Sequence, residues 1–243
     1  MERGLENADI QSEAMKAIET RRKAGENGFA IPKRPAAAIL GLLLVSAALP
    51  LDAQVRAQVP VPTPVFKEQY YRMFRMRLNR DPDNFIENIY WLERAIAADF
   101  ANPLYALARI ETEEQWEKYR LLFMTHLNVK MVEQYLFLGN MWNKRRAFFF
   151  NAPWKEQNLE SLETAENTFR SALFYWDEAQ KWADLASARR FRFVELPGAQ
   201  FWADSVHRIG LGELDYGRTI RRELANIESV RESFLAMPDP VPW

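Results

Sequence analysis

Tyr135-Leu136-Phe137-Leu138-Gly139-Asn140-Met141-Trp142, followed at a distance by Ala165, Phe169 and Ala172, is the stretch that decides the fold. Tyr135, Leu138, Gly139 and Trp142 recur at helical intervals, which places all four on one helix face. Ala165, Phe169 and Ala172 are four and three apart and share a face in the same way. Each residue type has a packing reason. A glycine and two alanines let two antiparallel helices approach closely, and the aromatics fill the groove between neighbouring pairs. The reading is a helical hairpin.

That order of side chains resembles the two helices of a tetratricopeptide repeat. From Trp142 the standard period would place the first small residue of the second helix at residue 151. It stands at Ala165 instead, so 14 residues are inserted. The expected fold class is all-α, with tetratricopeptide-like helical hairpins stacked as a short solenoid or bundle.

Composition agrees with that class. Apolar residues make up 48% of the 243 and aromatics 13%, enough for a sizeable core and too many for a disordered chain. A net charge of −1 gives no global attraction to nucleic acid. The chain has no cysteine and two histidines, which removes disulfides, thiolate chemistry and Cys/His zinc sites.

Residues 1–53 read as a polar extension followed by a signal peptide or anchor. Lys33 and Arg34 precede an apolar run from Ala36 to Leu49, closed by Pro50, and Ala53 offers a small residue before Gln54. The run is shorter than the roughly 20 apolar residues of a spanning helix. Export to the periplasm with cleavage before Gln54 is therefore expected, and inner-membrane anchoring if the segment is retained. Residues 54–65 form a linker in which Pro60, Pro62 and Pro64 alternate with Val and Thr, a spacing that favours an extended polyproline-like strap.

Residues 66–243 make up the helical domain. Helices are expected from about Pro64 to Asn79, from Asp81-Pro82 to Ala98, and briefly after Asn102-Pro103. The next opens at Thr112 with Gln115 as its capping-box partner. A break at His126 to Asn128 is expected before a further helix from Val129 to Phe150. The longest spans Leu159 to Ala188, where Ala165, Phe169, Ala172, Trp176, Ala179, Ala183 and Ala186 form one seam. A short segment leads to Gly210 and Gly212, and a last helix from Asp215 to Met237 is stopped by Pro238. Its seam is Ile220, Leu224, Ile227, Val230 and Phe234, with Arg218, Arg221, Arg222, Glu223, Glu228 and Glu232 facing solvent.

No constellation promises chemistry. His126 and His207 have no partner at ligand spacing, and no nucleophile elbow, His-Glu-x-x-His or phosphate loop occurs. The carboxylate pairs Glu113-Glu114 and Glu160-Glu163 sit on helix starts, where they answer the helix dipole. No enzyme, metal or cofactor is expected. Two basic-aromatic stretches, 67–80 and 189–193, could meet an anionic partner such as lipid headgroups or an acidic protein. The preferred reading of the first is a buried stripe of Phe66, Tyr70, Met73, Phe74 and Leu78 edged by arginines.

The stretch from Asn102 to Ala179 also resembles the periplasmic flagellar collar proteins of spirochaetes, which are tetratricopeptide-related. The residues that carry this are Leu136-Phe137-Leu138-Gly139-Asn140, Ala147-Phe148-Phe149-Phe150-Asn151, Asn158 to Glu166, and Ala172 to Ala179. The resemblance implies a non-enzymatic scaffold or adaptor that assembles with other proteins of the motor collar in the periplasm, without nucleic acid. The alternative is a periplasmic accessory protein that binds a small ligand or serves a transporter. Consecutive Phe148, Phe149 and Phe150 point about 100° apart on a helix and cannot all enter one core. Together with Trp154 they are the expected protein-binding residues, while Tyr135, Leu138, Gly139, Trp142, Ala165, Phe169 and Ala172 hold the hairpin.

Overall fold

A computed structural model describes residues 63–144 and 154–238. The polar extension and apolar run, linker residues 54–62, Phe148 to Phe150 and the last five residues lie outside the described residues. Within them the chain is all-α, with six α-helices and no strand. They are α1 (Lys67–Arg80), α2 (Phe85–Ala97), α3 (Glu113–Trp142), α4 (Lys155–Ala186), α5 (Gln200–Gly210) and α6 (Tyr216–Leu235). Single 3-10 turns, Pro103–Tyr105 and Arg189–Phe191, interrupt the two long connections.

The centre is the antiparallel pair α3 and α4, of 30 and 32 residues. Helix α2 packs on α3, α1 on α2, and α6 on α4, while α5 touches both central helices. Elements therefore add mostly in chain order, as in a solenoid, but their unequal lengths make a bundle rather than a run of matched repeats. The alanine seam of α4 explains the close central contact. Ala165, Phe169, Ala172, Trp176, Ala179, Ala183 and Ala186 are all buried.

Thr112 caps α3 as expected. Its side chain accepts the Gln115 N–H while Gln115 Oε1 accepts the Thr112 N–H, each at 3.2 Å. The break expected at His126 to Asn128 is absent, because α3 runs through it. Every residue from Leu122 to Val129 is buried, and neighbours satisfy the polar ones. Tyr71 Oη lies 2.7 Å from His126 Nε2, and Asn128 Nδ2 donates to Met124 O at 2.8 Å. A helix enclosed on all sides accepts such residues wherever each finds a partner.

Three further differences have local causes. Proline 64 does not open α1. The helix starts after Phe66, where Gln69 Oε1 accepts the N–H groups of Val65 (2.7 Å) and Phe66 (3.1 Å). The buried stripe of α1 is accordingly Lys67, Glu68, Tyr71 and Phe74, with Phe66 exposed and Tyr70 half-buried. Residues 200–210 form a helix because Trp202, Val206 and Ile209 repeat at four and three and bury together. On α6, Glu223 is buried rather than solvent-facing.

Candidate functional site

The hairpin is held tightest near its turn. A Cβ on Gly139 would lie 2.8 Å from Cε1 and Cζ of the Phe169 ring, so α3 and α4 touch where only a hydrogen fits. Beside it the Tyr135 and Tyr175 rings stack at 5.6 Å, and Ser161 Oγ donates to Trp142 O at 3.1 Å. Helix α6 fastens to the same end, because Lys155 Nζ donates to Met237 O at 2.9 Å. Arg231 also forms an ion pair with Glu166. That pair, with Arg170, holds the Glu166 carboxyl below the usual carboxylate range.

On this frame stand large apolar side chains that the other described residues leave largely exposed. Phe137 and Met141, four apart on α3, are each more than half exposed, as is Trp154 ahead of α4. Trp142 does not fill the inter-helix groove as its spacing predicts; its side chain is partly open to solvent. Ala165, Phe169 and Ala172 lie in the core, and Leu138 and Tyr135 are packed at its edge. The spacing of Phe137 and Met141, opposite the buried face, was the available signal for the two residues that sequence reasoning left out. Phe85 stacks on Phe137 at 5.6 Å and so extends the surface from α2.

Apart from Glu223 on α6, the buried charged groups Lys67 and Glu68 and the buried His126 lie in a different region, around the contact of α1 with α3. Glu68 accepts the Ala101 N–H at 2.9 Å and the Tyr119 hydroxyl at 3.2 Å. Tyr119 Oη in turn accepts the Leu107 N–H at 3.1 Å. Burial pushes the Tyr119 phenol up, so it remains a donor. Lys67 Nζ donates to Ala95 O at 3.2 Å and to Ile96 O, closing the C-terminal carbonyls of α2. Burial lowers the pKa of this lysine. His126 is pushed down to about 3 by burial, with the charges of Lys130 and Arg75 adding to it. Its ring stacks on Trp202 at 5.1 Å and meets Tyr71 edge-on at 5.3 Å. These groups join helices. Each faces a structural partner.

One cleft of about 580 Å³ opens between α3, the 187–192 turn and α5, lined in part by Lys118, Arg189, Arg192 and His207. Its most enclosed cation is already committed. Lys118 Nζ donates to Phe191 O at 3.0 Å and to Val194 O at 2.7 Å. Phe191 is the lone aromatic of the lining. Among the described residues no three His, Asp or Glu side chains group as metal ligands, and no helix is long and apolar enough to cross a membrane.

Residues 114–237, from the first turn of α3 to just past α6, match the family model described as Domain of unknown function (DUF8513). No curated protein and no solved structure matches the chain.

Proposed function

The chain belongs to the DUF8513 family, and we propose that it is a non-enzymatic periplasmic scaffold that binds other proteins through the turn end of its central hairpin. The observation that carries this reading is the exposure of Phe137, Met141, Trp142 and Trp154 on a frame fixed by the Gly139–Phe169 contact. Contiguous exposed apolar side chains on a rigid support mark interaction sites, and interface energy concentrates in aromatic anchors. Phe148, Phe149 and Phe150 belong to the segment that joins Trp142 to Trp154, which adds three aromatics to the same connection. The partner assembly we assign is the flagellar collar, on the resemblance of residues 102–179 to its components. Periplasmic placement rests on the basic flank and apolar run before Gln54.

The ligand-binding alternative would use the 580 Å³ cleft. A small-molecule site needs a few polar groups free to converge on the ligand, and Lys118 is engaged by backbone carbonyls. The protein-binding reading therefore has the better support.

The test is capture of envelope partners by the tagged full chain, with Trp154→Ala and Phe137→Ala beside the wild type. Loss of a true anchor costs about 2 kcal/mol or more, so capture should weaken by roughly 30-fold. Undiminished capture by both variants, with normal motility in cells carrying them, would overturn the proposed surface.

A further inference from the structure

We propose that the opposite end of the bundle docks on an anionic lipid bilayer, through Leu104, Tyr105, Phe193 and Phe201 together with Arg189 and Arg192. Those four are the most exposed large apolar side chains among the described residues, at 87%, 70%, 87% and 66%. All belong to one end, made by the start of α3, the close of α4, the start of α5 and their loops.

The exposure is built rather than frayed. In the second loop Phe191 is buried while Lys118 grips the carbonyls of Phe191 and Val194, so the intervening Phe193 is turned outward from a pinned backbone. In the first loop Asn102 Oδ1 accepts the Leu104 N–H at 3.0 Å and fixes the 3-10 turn that lifts Leu104 and Tyr105. The two loops are joined to each other. The Arg109 N–H donates to Pro197 O at 3.3 Å, and Gln115 Nε2 donates to Glu195 O at 3.0 Å. Gly198, at φ +92°, lies against Ala108 there.

Chemistry selects the bilayer over a folded partner. Leu104, Phe193 and Phe201 are exposed outside the 580 Å³ cleft, Tyr105 edges a small pocket of about 140 Å³ with Phe66 and Arg72, and arginines flank them. Rings and aliphatic tips beside guanidinium groups suit the headgroup boundary, where the tips enter acyl chains and the cations meet phosphates. Arg189 and Arg192 have no carboxylate partner among the described residues, and Arg192 lies 5.6 Å over the Phe193 ring. Two carboxylates of this end are paired with other arginines, while Glu195 and Asp204 stand exposed beside the tips. Glu111 pairs with Arg109 at 2.7 Å and Glu117 with Arg190 at 2.5 Å, while Glu113 and Glu114 occupy the first turn of α3. The chain also enters the described body here, since Phe66 bridges to Asp99 and the Lys67 N–H donates to Asp99 O at 2.8 Å. The apolar run Ala36 to Leu49 precedes that point by a proline-rich segment.

The absence of native cysteine makes single reporters simple to place. The full chain carries Phe193→Cys or Leu104→Cys, with Met141→Cys at the other end as control. Each is labelled with an environment-sensitive fluorophore and mixed with vesicles of phosphatidylglycerol and phosphatidylcholine. Labels at 193 and 104 should shift to the blue and be quenched by nitroxide-bearing lipid, while the label at 141 stays unchanged. Neutral vesicles, or the Arg189→Gln/Arg192→Gln background, should abolish the shift. Silent labels at 193 and 104 on vesicles that still carry the protein through its N-terminal segment would overturn the proposal and leave this end to an acidic protein. Equal shifts at all three positions would overturn it as well.

Discussion

Gly139 on α3 faces the ring of Phe169 on α4 at a distance that leaves no room for a methyl group, 2.8 Å from an ideal Cβ to Cε1. Gly139→Leu should therefore overpack the hairpin and lower stability by about 1–3 kcal/mol. Combining it with Phe169→Leu should cost less than the sum of the two, because the shortened side chain frees the space. Urea unfolding of the four proteins measures the coupling, and strict additivity would show the contact to be compliant.

Glu68 and Tyr119 fasten α1 to the start of α3 inside the core. Glu68→Leu removes the acceptor for the Ala101 N–H and the Tyr119 hydroxyl. Stranding these donors should cost about 1–3 kcal/mol. Glu68→Gln keeps an acceptor oxygen in nearly the same place, so its loss should be the smaller. Equal losses in the two variants would mean that packing rather than hydrogen bonding sets the cost.

Buried His126 should make the fold sensitive to moderate acid. Its pKa falls from the model-peptide 6.5 to about 3 in the native state, so between those values the unfolded chain binds the extra proton. Stability from this group is full above about pH 6.5 and declines as pH falls toward 3, by up to about 1.4 kcal/mol per unit. Glu93, whose carboxyl burial raises, acts in the opposite direction. Comparison with His126→Gln isolates the histidine contribution. Denaturation midpoints that change with pH by the same amount in both proteins would contradict the assignment.

Trp154 stands exposed ahead of α4 and makes no side-chain capping bond. Trp154→Ala should leave unfolding free energy within about 0.5 kcal/mol of the wild type, as surface changes do, while weakening partner capture. A large drop in thermal stability would instead make it a packing residue, and the loss of capture would no longer identify a surface.

Much of the fold was legible because local patterns wrote it. The alanine seam of α4 and the Thr112–Gln115 box are short-range signals, and each formed where the spacing placed it. Helix α5 was expected only as a short segment; Trp202, Val206 and Ile209 carry its period, but no capping side chain marks its start. Continuity of α3 through Thr125, His126 and Asn128 was not legible. Its warrant is Tyr71, 55 positions earlier, whose hydroxyl satisfies the histidine. Single-chain patterns carry no sign of so distant a partner.

The sequence by itself determined an all-α chain, the close approach of two helices at Gly139, and the lack of thiol chemistry. Those follow from side-chain volume, periodicity and residue inventory, which need no third dimension. Only the tertiary structure decided which apolar residues remain uncovered. Phe191 and Phe193 stand two apart in one Arg-Phe-Arg-Phe run, and one is buried while the other is almost fully exposed. Their difference comes from Lys118, whose ammonium reaches from α3 to hold the carbonyls on either side of Phe193. Exposure is a property of what packs alongside, and in a folded chain those neighbours come from distant positions.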